Sequence, residues 1–537
     1  MNLPQLSTGL FALALSAVLT PVVMLVMTRI GMVDRPDGRR KLHGRSVPIA
    51  GGLAVWLSVV IAVAFGHLVG GPTLPEGDGA FWSAFLLASF LLCVVGLADD
   101  AWNLRGRHKL LGQIGAVGVL IAGGLVVQNV QLFGYDVELG VMAIPFTMFW
   151  LLGAINAMNL LDGMDGLAAT VGGMIGLALA IMAAMMGHPT ESMVAAALVG
   201  GVVGFLVYNF PPARVFLGDT GSMVIGLVLG VIAVKSSLKS SATIALAAPV
   251  AIWTLPILDA SMAILRRKLT GRSILIPDRA HLHHRLAERG FGPRGSLIFI
   301  AALCGITTVG ALASVFFHAE WLAPAVAVAV TAFLVFTRLF GHSECALLAR
   351  RSKIFAASLW PFDRDGDTAR EHRSRLQGTK EWDQLWDSLV TFAERCGLDS
   401  VQLSVSLPAL HEEFFAGWDR GVPTEGGRLY RADIPLSSAI HGSIGSLRIA
   451  GRCLDDSACA WVGELIEGLR PFEAQIADLL SAGAMPRPVG DTFAPPVKPA
   501  AILERRAVRR PALATAVPSL SSAREMGLDE TDESRSM

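Results

Sequence analysis

Runs of about twenty apolar residues recur through the first two thirds of this chain, and no other feature restricts its fold so severely. A backbone crossing the hydrocarbon layer of a bilayer has no water to bond with, so each segment must satisfy its own N–H and C=O groups, as a helix does. Scanning for such runs gives about eleven predicted spans, near 8–30, 49–69, 80–98, 110–127, 139–157, 167–186, 191–209, 221–235, 242–264, 296–316 and 321–340. A composition with 53% hydrophobic and 16% charged residues, and a mean hydropathy of +0.54, belongs with multi-spanning membrane proteins and not with soluble globules. The first run has neither a basic leader nor a small-x-small cleavage site, so it is expected to stay as a span.

Lys and Arg gather in alternate loops, around 35–45, 105–109, 214 and 266–294, while the loops between them hold almost none except Lys239. The positive-inside rule then puts these loops in the cytoplasm, the N-terminus outside and everything after Arg338 inside. The chain as a whole is balanced, 44 basic against 44 acidic residues, which gives no electrostatic footprint for nucleic acid. Six cysteines without a CxxC pair or regular spacing argue against a disulfide framework or a zinc ribbon.

After about residue 345 the pattern becomes that of a soluble protein. "EWDQLWDSLVTFAERCGL" has apolar residues at helical spacing, "DSVQLSVSL", "GRLYRADIPL" and "GSIGSLRIAG" read as strands, and "CAWVGELIEGLRPFEAQIADLL" reads as a closing amphipathic helix. The expected fold class is therefore an all-α polytopic membrane protein with about eleven transmembrane helices, carrying a small C-terminal cytoplasmic α+β domain. The predicted divisions are a transmembrane domain over 1–344, a linker over 345–378, the α+β domain over 379–483 and a disordered tail over 484–537.

Polar motifs interrupt the apolar pattern only on the predicted cytoplasmic side. In "GLADDAWNLRGRHKL" the adjacent Asp99 and Asp100 end the third span, where acids are costly unless a cation partners them; simple solvation is the bland alternative. "NAMNLLDGMDGLA" spaces Asn156, Asn159, Asp162 and Asp165 by three residues, a polar stripe if helical, while Gly163 and Gly166 would let the chain unwind. "VFLGDTGSM" sets Asp219 between glycines at the start of the eighth span, where free helix N–H groups favour anions. "DRAHLHHRLAERG" carries His281, His283 and His284 beside Arg279 and Arg285, and without a further ligand at zinc spacing it reads as a polyphosphate site. "DRPDGRRKLHGRSVPIAGG" contributes Lys41 and His43 in a basic loop. Carboxylates, histidines and cations at one face are the inventory of Mg²⁺-assisted phosphoryl transfer.

In order and wording these motifs, spread over about residues 30 to 290, resemble the polyprenyl-phosphate N-acetylhexosamine-1-phosphate transferases. That superfamily holds the WecA/TagO-type enzymes and the peptidoglycan translocase MraY, and the His-x-His-His form is similar to the WecA-type branch. The resemblance implies transfer of N-acetylhexosamine 1-phosphate, GlcNAc by default, from a UDP-sugar to undecaprenyl phosphate with release of UMP. Mg²⁺ is the implied cofactor, with Mn²⁺ able to substitute. It implies Asp219 as a metal ligand with Asp162 and Asn159 at the metal and nucleotide site, and Asp99 and Asp100, helped by Lys109, at the lipid phosphate. His281, His283 and His284 would hold the diphosphate, Lys41 would lie near the substrate phosphates, and Asp165 would line the nucleotide pocket. A homodimer and the bacterial inner membrane complete the expected setting. MraY-type transfer of phospho-N-acetylmuramoyl-pentapeptide is the alternative within the family, and transport or a scaffold role are the alternatives outside it. Residues 345–537 bear only a loose similarity to GAF-like modules.

Overall fold

The computed structural model describes residues 2–34, 46–72, 78–132, 135–236, 238–240, 243–245, 247–269, 281–346, 348–349, 352, 370–377, 381–407, 412–420, 428–438 and 442–453, with 463, 467–469, 472, 475–476 and 479. Helix α1 (Leu3–Ile30) already declares its solvent. Its buried positions, Gln5, Thr8, Ala12, Ser16, Thr20, Val23 and Met27, form one stripe at three- and four-residue spacing, and the first five are polar or small. Leu6, Leu10, Val18, Val22 and Leu25 face outward. In water that helix would be inside out. Against lipid tails it is the expected arrangement, because small side chains let helices approach closely and an outward leucine costs nothing.

Among the described residues twelve further helices follow before the C-terminal region: α2 (Gly52–Leu68), α3 (Gly79–Trp102), α4 (Gly106–Ala122), α5 (Ala143–Leu161), α6 (Leu167–Met185), α7 (Pro189–Asn209), α8 (Gly218–Ser236), the short α9 (Ala247–Ile252) with α10 (Thr254–Leu269), α11 (Leu282–Glu288) and α12 (Pro293–Phe316), then α13 (Leu322–Phe336). Seven of the helices described are long and apolar enough to cross a membrane, and α2 and α13 are shorter apolar helices. The chain is thus a mostly helical polytopic membrane protein; the predicted count of about eleven exceeds those seven. The predicted ninth span is broken at Trp253. Pro256 sits in the first turn of α10, where its missing N–H is tolerated, and its ring is incompatible with a helix continuing unbroken from α9.

Helix α8 forms the axis of the bundle: Thr220 through Val234 are all buried, and it packs against α2, α3, α5, α6 and α7. Short strands β1 (Val33–Asp34) and β2 (Val47–Pro48) pair antiparallel ahead of α2. Strands β3 (Asn129–Leu132), β4 (Tyr135–Glu138), β5 (Leu238–Ser240) and β6 (Thr243–Ala245) form a sheet in the order β4-β3-β6-β5, which ties the α4–α5 connection to the α8–α9 connection.

The C-terminal region has its own core. Strands β7 (Arg370–Gln377), β8 (Leu398–Leu407), β9 (Glu412–Asp419), β10 (Arg428–Ser438) and β11 (Gly442–Cys453) build an antiparallel sheet in the order β10-β11-β8-β9-β7. Helix α14 (Trp382–Arg395) buries Trp382, Leu385, Trp386 and Leu389 on one face of it, joined by Leu469, Phe472 and Ile476. The strands read at β8, β10 and β11 are present. Strand β7 comes from the stretch predicted to be linker, and the predicted tail over 484–537 lies outside the described residues.

Candidate functional site

The acid motifs meet where three helices converge on the first turn of α8. Gly218, at φ +74, turns the chain into that helix, and a Cβ there would lie 2.7 Å from the Asp100 carboxylate. Asp100 fills that space: Oδ1 accepts from the Asp219 amide at 2.9 Å, and Oδ2 accepts from the Thr220 amide at 3.2 Å and the Thr220 hydroxyl at 2.7 Å. Free N–H groups of a helix start are thereby satisfied by a carboxylate borrowed from α3. The same turn is pressed onto two neighbours. A Cβ at Gly52 would stand 2.0 Å from the Gly221 Cα, and one at Gly96 would stand 2.4 Å from the Thr220 Cα. The Gly51 and Gly52 amides donate to the carbonyls of Phe216 and Leu217, both at 2.9 Å, so the end of the "VPIAGG" motif cradles the "FLGDTGS" motif.

Lys109, one turn into α4, organises the side chains. Its ammonium donates to Asp99 Oδ2 at 3.3 Å and Asn159 Oδ1 at 2.9 Å, and it pairs with Asp219 Oδ2. Asn159 Nδ2 donates to Asp219 Oδ1 at 2.7 Å and to the Ser222 hydroxyl at 3.0 Å. Asp99 Oδ1 accepts from the Leu104 amide at 2.7 Å, fixing the left-handed turn at Asn103 that ends α3. The two neighbouring acids therefore have different work: Asp100 holds α8 in place, and Asp99 stands with Asp219 at the ammonium.

The stripe predicted for "NAMNLLDGMDGLA" fans out instead of aiming at one spot. Asn156 pairs with the buried Gln113, its Nδ2 donating to Gln113 Oε1 at 2.9 Å. Asn159 joins the cluster. Asp162 caps α5 and forms no side-chain hydrogen bond with any described residue; burial and the charges of Asp219 and Asp100 hold its carboxyl well above the usual carboxylate range. Asp165 accepts from the Ala213 amide at 2.9 Å and so secures the turn between α7 and α8. It thereby braces the loop that leads into α8.

The histidines arrive on α11. His281 Nδ1 meets Asp259 Oδ2 at 2.8 Å, and Asp259 Oδ1 accepts from the Leu282 amide at 2.9 Å, so one buried acid on α10 anchors the start of the helix. Sequence reading passed over Asp259. An acid inside the apolar run "TLPILDASMAIL" was the available signal, since intramembrane acids rarely lack a function. The His283 ring is parallel to that of His281 at 6.0 Å and lies 4.2 Å from that of His284. It faces Gly163, where a Cβ would come within 2.9 Å of it, next in sequence to Asp162. Neither ring nitrogen of His283 bonds to a described residue, and burial, then the charge of His284, pushes its pKa down to about 3. His283 is thus a neutral imidazole whose two ring nitrogens are buried and unpartnered among the described residues. Lys41, His43 and Arg279 lie outside the described residues.

A family model described as glycosyl transferase family 4 matches residues 82–237, the stretch from α3 to the end of α8. A probable undecaprenyl-phosphate N-acetylglucosaminyl 1-phosphate transferase of Bacillus subtilis is 34% identical over 298 residues, which cover 55% of this chain and 80% of that protein. The chain belongs to the polyprenyl-phosphate N-acetylhexosamine-1-phosphate transferase family. Two other members of this family bracket it. A decaprenyl-phosphate N-acetylglucosaminephosphotransferase of Mycolicibacterium smegmatis is 33% identical, covering 61% of this chain and 86% of that protein. A phospho-N-acetylmuramoyl-pentapeptide-transferase of Desulforudis audaxviator is 34% identical, covering 57% and 100%. In this transferase the cluster of Asp99, Asn159 and Asp219 on Lys109 falls wholly within the matched family segment.

Proposed function

We propose that this protein transfers N-acetylglucosamine 1-phosphate from UDP-N-acetylglucosamine to undecaprenyl phosphate, releasing UMP and starting a lipid-linked cell-envelope polysaccharide. The reading places it in the bacterial cytoplasmic membrane, N-terminus outside, with the acid motifs and the C-terminal domain at the cytoplasmic face. The observation that carries it is the cluster on Lys109: Asp99 and Asp219 share its ammonium, with Asp100 and Asp162 close enough for their charges to be felt among the described residues. Such a surplus of acid beside a membrane calls for a cation that arrives with the substrates.

The donor set suits Mg²⁺. Asp219, Asp162 and Asn159 present hard oxygens, and among the described residues no group of three or more His, Cys, Asp or Glu closes into a metal cage. Mg²⁺ characteristically takes one or two carboxylates and fills its shell with water and substrate phosphate, and when bound it would offset the charge on the diphosphate. Mn²⁺ would serve in its place.

The chain's own residues do the rest. Undecaprenyl phosphate is tethered by its tail and can meet a water-soluble nucleotide sugar only at the bilayer boundary, where this cluster stands. One oxygen of the lipid phosphate attacks the sugar-bearing phosphorus in line, the phosphoanhydride bond breaks, and UMP leaves. Asp99 accepts or steers the lipid phosphate proton, because its Oδ2 lies at the Lys109 ammonium beside Asp219, whereas both oxygens of Asp100 are held by the α8 turn. Lys109 offsets charge between the two phosphates, and His283, as a neutral imidazole, donates a hydrogen bond to the diphosphate beside His284.

A second reading, with the nucleotide muramoyl-pentapeptide as donor, is favoured by the Desulforudis relative matched over its whole length. The His281-Leu282-His283-His284 spelling supports the first. Membranes containing the protein, given undecaprenyl phosphate, Mg²⁺ and each UDP-sugar in turn, should release UMP and form lipid-linked product with UDP-N-acetylglucosamine. EDTA and Asp219→Asn should abolish that product. Product from the muramoyl-pentapeptide donor alone would move the protein to the second reading, and no product from any donor would remove the first.

A further inference from the structure

Helix α11 has two sides. His283 and Arg285 are two residues apart and so point roughly 200° apart around its axis. His283 faces the acid cluster through Gly163. Arg285 faces a separate pocket of about 150 Å³, closed on the other side by the turn Arg338–Ser343 that follows α13.

Among the described residues the lining of that pocket is rich in cations. It brings together Arg285, Arg289 and Arg338 with His342, and the carboxylate of Glu288. Glu288 is committed to Arg285 at 3.2 Å. Arg289 donates at 2.6 Å to the backbone carbonyl of Arg338, whose left-handed conformation, φ +56, turns the chain sharply behind α13. Neither Arg289 nor Arg338 forms an ion pair with a described residue. The floor is solid, since Phe340 is buried in the bundle core.

The surroundings identify the ligand. Exposed apolar residues flank the lining in the chain: Phe291 follows Arg289 by two positions, and Phe333 and Phe336, the latter 84% exposed, lead into Arg338. A soluble anion would have use for the arginines but none for that surface. A lipid uses both, its phosphate among the guanidiniums and its acyl chains along α12 and α13. Basic pockets between transmembrane helices at a membrane interface hold anionic headgroups in this way.

We propose that the pocket between α11 and the turn after α13 binds the phosphate headgroup of an anionic phospholipid of the surrounding bilayer. Bound there, the lipid clamps α11 from behind and steadies the helix that carries the histidines. The assignment does not depend on the transferase reading, because lipid retention needs no turnover.

The test uses the full chain in nanodiscs of phosphatidylcholine with and without phosphatidylglycerol, followed by native mass spectrometry of retained lipid. The unaltered protein should retain phosphatidylglycerol selectively, and Arg289→Gln/Arg338→Gln should weaken retention roughly twenty- to thirtyfold, about fivefold for each guanidinium. Arg105→Gln/Arg107→Gln removes the same charge from another loop and should change nothing. Equal loss in that control would reduce the effect to general surface charge and overturn the site. Retention unchanged in the first variant would overturn it too. So would displacement of the lipid by inorganic phosphate at the same pocket, which would show a soluble-anion site.

Discussion

Two charge groups among the described residues of this bundle are built on opposite principles. Arg266 on α10 meets Glu344 just after α13 at 2.5 Å, cation to anion, both about 2% exposed. Lys109 meets Asp99 and Asp219 together, with Asp100 and Asp162 close behind. The first group is complete as it stands, and a complete pair inside a protein is a structural joint. The second is short of positive charge, and a protein tolerates that deficit only where something else makes it up. Charge balance, more than burial, separates the joint from the site.

The largest effect should fall on the joint. Glu344→Gln leaves a buried guanidinium without its acid, and the protein should lose about 3–5 kcal/mol of stability in detergent unfolding, while the surviving folded fraction keeps its specific activity. A loss of activity per folded molecule would erase the distinction. Asp219→Asn should do the reverse, cutting transfer on the order of 10²–10³-fold with a melting temperature close to that of the parent. Large destabilisation without a catalytic defect would make that acid another joint.

The histidine side sharpens the comparison through pH. His283 titrates at about 3 when folded against 6.5 when unfolded, so its contribution is present above pH 6.5 and is lost as pH falls toward 3. Stability should drop by about 1.4 kcal/mol per unit below pH 6.5, roughly 2 kcal/mol by pH 5, and His283→Gln should flatten that slope in thermal melts. The smallest effect belongs to Asp100→Asn, which keeps one acceptor at the start of α8 and should cost about 1 kcal/mol of stability. An activity defect as deep as that of Asp219→Asn would instead put Asp100 among the groups that meet substrate.

Much of this site could be read from the residues, because motif acids that interrupt apolar runs have few bland explanations. Asp99, Asp219 and Asn159 were found that way. The separate duties of Asp99 and Asp100 were not, since adjacent side chains on one helix look equivalent until α8 docks against one of them. The bond from Asp165 to the Ala213 amide was equally hidden: a three-residue spacing fixes direction only while the helix lasts, and α5 ends at Leu161. In the C-terminal region β8 alternates and was legible. Strand β9 buries Phe414, Phe415, Ala416 and Trp418 in succession and gives no alternation to read. The charged β7, "REHRSRLQ", is an edge strand, where charge discourages unwanted pairing and hides the strand from a hydropathy scan.

The glycine contacts that seat α8 against α2 and α3 bear on permeability. Four carboxylates at a bilayer boundary would form the mouth of an ion leak if a wet path ran below them. Beneath Asp219, however, the backbones touch at Gly52, Gly96 and Gly221, and from Met223 to Val234 α8 presents a continuous buried column of aliphatic side chains, methionine and glycine. Among the described residues, α8 offers water no polar side chain to follow from Met223 to Val234, so the charged cluster can stand at one end of the bundle without a wet path along this helix.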